Sequence, residues 1–228
     1  MSAPRRAPVV VFDVNETLLD LGALRPAIAA ALGDAGALEA WFGRVIRTAM
    51  TLTAVGGWAD FAAVADAALV VEGAARGAAP DADARRAVLE GMRALPPHPD
   101  VAPALERLAA AGLRLAALTN SPQAGAEAQL AHAGVAPRLE AILSVDAVRA
   151  FKPHPAVYRS AAAALGVQTS EIVMVAAHDW DVAGAMATGA TGALVLRGGG
   201  APSPVLPEPT IVGRDLVEVA DRLVASPG

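Results

Sequence analysis

Cysteine is missing from this 228-residue chain, which excludes disulfides, thiolate metal sites and cysteine nucleophiles. Lysine is nearly missing too: Lys152 stands alone against seventeen arginines. Asparagine occurs only as Asn15 and Asn120, and tyrosine only as Tyr158. No apolar run approaches the ~18 residues of a membrane-spanning helix, so the 54% hydrophobic content, mostly Ala and Val, describes a tightly packed soluble protein with no membrane partner. A net charge of −5 with scattered arginines forms no basic stripe, which argues against nucleic acid as a partner. Arg5 and Arg6 lead straight into a strand-like run without a secretory apolar region, and the expected compartment is the cytoplasm.

What is present is an alternation of strand-like and helix-like segments, the mark of α/β proteins with a parallel sheet. The run Val9-Val10-Val11-Phe12 is short and β-branched and reads as a buried strand. A purely helical region follows over 21–95, with patterns at 37–53 and 60–72 divided by Gly56-Gly57 and 77–80. Leu95-Pro96-Pro97-His98-Pro99 then breaks any helix, as a hinge or linker does. Beyond it, strands are expected at 113–118, 141–144, 172–176 and 193–196. The helices expected between and after them span 101–111, 122–133, 155–165, 179–188 and 214–225. Gly198-Gly199-Gly200 lacks the Lys-Ser/Thr and helix of a phosphate loop, so 198–209 reads as an exposed loop. The expected architecture is α/β, with a doubly wound parallel-sheet (Rossmann-like) core over 1–20 and 96–228. A helical domain over 21–95 is inserted after the first strand.

Four polar clusters lie just past expected strands: Asp13 to Thr17, Thr119-Asn120-Ser121, Lys152, and His178 to Asp181. Open parallel sheets bring such positions together on one rim, where ligands bind. The lone lysine and both asparagines of the chain fall in these clusters. Taken singly, Asp13 reads equally well as a nucleophile or as a helix-capping carboxylate; the convergence of four clusters favours chemistry.

This pattern resembles the haloacid dehalogenase superfamily over nearly the whole chain. Asp13 with Thr17 matches its first motif, Thr119-Asn120 its second, Lys152 its third, and Asp181 with Ala183-Gly184-Ala185 its fourth. The helical insertion sits where the family carries its cap. The resemblance implies that Asp13 forms a covalent intermediate. Phosphatases of the superfamily carry a second Asp two residues after the nucleophile, where this chain has Asn15, which cannot donate a proton as a carboxylic acid does. Ala177 replaces another acidic residue of those enzymes, and a hard cation wants several anionic oxygens. These departures fit the 2-haloacid dehalogenase branch, which uses no metal or other cofactor. Phe151-Lys152-Pro153-His154-Pro155-Ala156-Val157-Tyr158 looks like its lysine motif. His178-Asp179-Trp180-Asp181 looks like its Asn-x-Trp-Asp signature, with His178 for the asparagine. Trp41-Phe42-Gly43-Arg44 stands where the branch carries a halide-meeting arginine, with Arg47 one turn on as the alternative.

The implied reaction is attack by Asp13 on the halogen-bearing carbon of a short 2-haloalkanoate, then hydrolysis of the aspartyl ester to a 2-hydroxy acid and halide. Lys152 holds Asp13 ionised, an attraction of ~4 kcal/mol at ~4 Å and an effective dielectric of ~20 before desolvation costs. Thr17, Thr119 and the N–H groups of Val14 and Asn15 are candidates to grip the substrate carboxylate. Asn120 and Arg44 are candidates for the departing halide. Trp58 and Phe61 are candidates for an apolar wall, joined by Tyr158 and Trp180 from the branch motifs. Asp181 fixes Lys152 and helps the hydrolytic water. His178 has two open roles, general base or plain hydrogen-bond donor. Glu16, in a place usually held by glycine, puts the loop shape in question. His98, His132 and His154 receive no role. A homodimer is implied by resemblance alone. The competing readings are a Mg²⁺-dependent phosphatase and a catalytically degenerate binding protein.

Overall fold

The computed structural model describes residues 8–225; Arg5 and Arg6, on which the expectation about the leader rested, lie outside them. Strand β1 (Val9–Phe12) is wholly buried, and its β-branched side chains fit a strand covered on both faces. On one side it pairs in parallel with β2 (Arg114–Thr119), and on the other with β4 (Ile172–Ala176). β3 (Ala141–Ser144), β5 (Thr191–Val195) and β6 (Ile211–Gly213) complete a six-stranded sheet, all parallel, in the order β3-β2-β1-β4-β5-β6. The chain thus winds outward from β1 in both directions, and the carboxyl ends of β1, β2 and β4 lie side by side at the point of reversal. The doubly wound core read from the alternation is observed. β6 was not expected. Its three residues follow the loop rich in Gly and Pro, too few to show a period of two.

The segment inserted after β1 is built of α1 (Arg25–Leu32), α2 (Ala37–Ala54), α3 (Phe61–Ala75) and α4 (Ala82–Arg93). Asp60 caps α3 by accepting from the Ala62 N–H at 2.8 Å, and Asp81 caps α4 by accepting from Ala84 at 2.8 Å, each satisfying a donor left over by the helix start. Buried Trp41 on α2 donates its indole N–H to the Ala65 carbonyl of α3 at 3.1 Å, joining the two helices. The helical segment enters and leaves through adjacent strands of backbone: Asp20 N–H donates to Pro96 O (2.8 Å) and His98 N–H to Leu18 O (2.9 Å). The proline-rich run expected to act as a linker is one half of this pair.

After the linker, α5 (Val101–Ala110), α6 (Gln123–His132), α7 (Pro155–Leu165), α8 (Asp179–Met186) and α9 (Leu216–Ala225) alternate with the strands. Gly184 of α8 is needed for space. A Cβ there would stand 2.4 Å from that of Pro153 and 2.7 Å from the Tyr158 hydroxyl, so only glycine lets α8 approach the Lys152-Pro153 turn this closely.

Candidate active site

The three central strands deliver their terminal polar groups to one place. Asp13 follows β1, Thr119 ends β2, and His178 lies two residues beyond β4. Lys152 enters from the turn before α7 and is buried, with all three ammonium protons used. Its Nζ donates to Asp13 Oδ1 at 2.8 Å, to Asp181 Oδ2 at 2.6 Å and to the Leu118 carbonyl at 2.9 Å. Thr17 Oγ1 donates to Asp13 Oδ2 at 2.8 Å and accepts from the Ala177 N–H at 2.9 Å. Tyr158 donates its hydroxyl to Asp181 Oδ1 at 2.7 Å. Asp181 therefore has both oxygens occupied and no exposure at all; it reaches the reacting centre through Lys152. Asp13, by contrast, also lines a cavity.

Burial disfavours the Asp13 anion, but the Lys152 charge and the hydrogen bond and charge of His178 outweigh it and hold the carboxyl well below the usual carboxylate range. Lys152 is pushed up: burial opposes its charge, and the charges of Asp13 and Asp181 overcome that. Burial raises Asp181 against the pull of Lys152, with the Asp13 charge adding to the rise. His178 lies between two carboxylates, Nε2 at 2.7 Å from Glu16 Oε2 and Nδ1 at 3.4 Å from Asp13 Oδ2. Burial opposes its protonation, yet these two partners raise its pKa to about 10. Its ring stacks on Trp180 with centroids 5.0 Å apart. Nδ1 is buried, and the acceptor it faces is the Asp13 carboxylate. Glu16 itself has φ +65°, a left-handed conformation that costs a non-glycine residue roughly 1–2 kcal/mol.

The cavity over Asp13 measures about 10 Å³, room for about one water molecule. Its walls are Asp13, Asn15, Thr119, Asn120 and His178 from the core, Phe42 and Ile46 from α2, Phe61 from α3, and Trp180. Asn120 Oδ1 accepts from the main-chain N–H of Lys152 at 3.0 Å, which leaves the amide N–H₂ as the group of this lining residue that can still donate. Of the residues singled out from sequence, Asp13, Asn15, Thr17, Thr119, Asn120, Lys152, Tyr158, His178, Trp180 and Asp181 are thus brought together, with buried Val14 in the same turn and Phe61 in the wall.

Three others are placed elsewhere. Arg44 donates Nε to Glu72 at 2.9 Å and does not line the cavity. Arg47 lines an outer groove with Gly43, Met50 and Trp180. Helical geometry is the reason. Phe42 and Ile46 share a face at i, i+4, while Arg44, two residues from Phe42, points roughly 200° away. Trp58 stacks on Phe151 at 4.6 Å, behind Phe61 instead of in the wall. Phe42, Ile46 and the Glu16–His178 contact were missed as site features. The i, i+4 spacing of the first two was the available signal. Among the described residues, no group of three or more His, Cys, Asp or Glu side chains is arranged to hold a metal ion.

A lysine-held carboxylate at the carboxyl end of the first strand, covered by helices inserted behind that strand, places the chain among α/β proteins that work from an aspartate. The haloacid dehalogenase-like hydrolase model matches residues 7–189, and the chain belongs to that family. It is 33% identical over 190 residues to an (S)-2-haloacid dehalogenase of Xanthobacter autotrophicus, covering 82% of this chain and 74% of that one. It is 28% identical to (S)-2-haloacid dehalogenase H-109 of Pseudomonas putida over 94% of this chain and 97% of the relative. The solved structure of L-2-haloacid dehalogenase from Xanthobacter autotrophicus with chloropropionic acid covalently bound superposes with a TM-score of 0.86. That match is 27% identical and covers 97% of this chain and all of the other.

Proposed function

We propose that this protein hydrolyses the carbon–halogen bond of short 2-haloalkanoic acids through an ester on Asp13, without a metal or other cofactor. The observation that carries the reading is Asp13 held ionised by Lys152 at 2.8 Å while still facing a cavity with mixed polar and aromatic walls. The carboxylate attacks C2, the C–X bond breaks, and halide leaves with the bonding pair. Asn120 N–H₂ and the ring edges of Phe42 and Phe61 meet the developing halide, in the place the sequence pattern had given to Arg44. Thr119 and the main-chain N–H groups of Val14 and Asn15 hold the substrate carboxylate. Water then adds to Cγ of the ester. Thr17 and His178 stabilise the oxyanion at Oδ2, and collapse restores the carboxylate. One water proton passes to the departing alkoxide oxygen and the other to solvent.

His178 takes the donor role in this scheme: protonated at neutral pH, it has no lone pair for a base. Lys152 orients the nucleophile, and Asp181 with Tyr158 orients Lys152. Residues 21–95 form the cap and, among the described residues, 8–20 with 96–225 the core, a division supported by the paired backbone at Asp20 and Pro96. Half-exposed Val70 and Val71 on α3 support a homodimer through the cap, to be checked by light scattering. The lack of cysteine fits the cytoplasm.

The test is halide release from each enantiomer of 2-chloropropionate, and from fluoroacetate, in EDTA. Release that persists in EDTA and vanishes in Asp13→Asn supports the reading. No release, with Mg²⁺-dependent hydrolysis of a phosphate ester, would assign the phosphatase activity instead.

A further inference from the structure

Gln129 is a buried amide on α6, 3% exposed, outside every motif recognised in the sequence. Its Nε2 donates to the Met92 carbonyl of α4 at 2.6 Å and to Asn15 Oδ1 at 3.1 Å. The direction of these bonds is forced. A main-chain carbonyl only accepts, so the Gln129 atom facing Met92 is the nitrogen. That nitrogen has one proton left, so the Asn15 atom facing it is the oxygen. The Asn15 N–H₂ then points away from Gln129, and Asn15 lines the cavity over Asp13.

The orientation matters because the substrate is an anion arriving beside an anionic nucleophile. An amide oxygen facing the cavity would add to the repulsion, whereas an amide N–H₂ attracts a carboxylate. Gln129 also bonds the helical segment and the core at once, since Met92 lies in the last turn of α4 while Asn15 follows β1. It stands, with Phe61, in the wall of a second cavity of about 260 Å³ lined also by Met92 and Arg93.

We propose that Gln129 is a positioning residue that fixes the Asn15 amide as a donor to the substrate carboxylate and makes this donor depend on the seating of α4. The proposal rests on the haloacid reading of the site, with Asn15 side chain N–H as an additional carboxylate contact.

The test is a double-mutant cycle of Gln129→Glu and Asn15→Ala. It is read as the Kd of lactate by calorimetry and as KM and kcat for 2-chloropropionate. A carboxylate at 129 accepts from Asn15 and turns the amide oxygen into the cavity. The expected result is a roughly 10–100-fold rise in Kd and KM together, the range of a lost hydrogen bond to a charged group, with kcat within about threefold. In the Asn15→Ala background the same substitution changes neither constant by more than about twofold. An equal effect in that background, or a fall in kcat with Kd unchanged, overturns the proposal. Should Gln129→Glu fail to fold, Gln129→Leu runs the same cycle, with a smaller expected loss because the freed amide samples both orientations. Wild-type protein that binds lactate but releases no halide overturns the dehalogenase reading and leaves the binding cycle as the test of Gln129. Wild-type protein that binds no lactate overturns both.

Discussion

Glu16 Oε2 and His178 Nε2 are 2.7 Å apart, and each is held in place at a cost. Glu16 adopts a left-handed backbone at φ +65°, and His178 carries charge in a largely buried site. Both stand where the resemblance implies other residues, and the two touch. The pair keeps the imidazole protonated beside Asp13, which makes the ring a donor where the resembled branch has an amide.

An amide shares the donor role but not the basic one, so His178→Asn discriminates. Turnover within about tenfold of wild type is expected, since one donor replaces another; a base removed would cost about 10²–10⁴ in rate. Steady-state halide release at pH 7 is the measurement.

The pH dependence has a definite sign. The His178 pKa is raised to about 10 from an unfolded value near ~6.5. Its contribution to stability is therefore complete below ~6.5 and is lost as pH rises toward about 10. Melting temperature is expected to fall across that window, less steeply in His178→Asn. The depressed Asp13 pKa acts oppositely: its contribution is present above ~3.9 and lost as pH falls below that value. The rate of wild type is expected to decline with the alkaline limb, and Glu16→Gln to move that limb to lower pH.

Much of this was legible in the sequence. Strand-end polar clusters and the isolated Lys152 located the centre, because a parallel sheet leaves little choice about where its carboxyl ends lie. The helical wall was read less well. Motif position put Arg44 at the halide, but which face of α2 turns inward is decided by packing, and Phe42 with Ile46 occupies that face. Gln129 left no signal, because its partners Asn15 and Met92 are distant in the chain and meet only when α4 rests on α6.

The placement of Arg44 has a consequence for mutagenesis. Its guanidinium bonds Glu72, which is 6% exposed and also takes Arg76. Arg44→Ala leaves that carboxylate with one partner, so lower thermal stability is expected with kcat changed less than about threefold. Chloride inhibition constants for both proteins check the point. A large selective loss of chloride affinity would return Arg44 to the halide site.

Lys152→Met removes the ammonium that joins Asp13 and Asp181, leaving buried Asp181 without a counter-charge and Asp13 with His178 alone. A loss of about 3–5 kcal/mol is expected in denaturant unfolding, as for other broken buried ion pairs. The pKa of Asp13 would rise as its principal opposing charge disappears. Dehalogenation should become undetectable. The double variant Lys152→Met/Asp181→Asn should recover part of the stability and none of the activity, since it removes one unpaired charge but does not restore the group that orients Asp13.

Cavity dimensions give the last expectation. With space of about 10 Å³ over Asp13, even chloroacetate must push the walls apart, and each added methylene pushes Phe42, Ile46 or Phe61 further. The order of kcat/KM is expected to be chloroacetate, then 2-chloropropionate, then 2-chlorobutanoate, with steps of roughly 10–200-fold per methylene. Phe61 lines both this cavity and the larger one of about 260 Å³. Phe61→Ala joins the two spaces, at about 3–5 kcal/mol of stability. It is expected to flatten the series, raising 2-chlorobutanoate relative to chloroacetate. An unchanged order in Phe61→Ala would show that chain length is limited elsewhere, by Phe42 and Ile46 on α2.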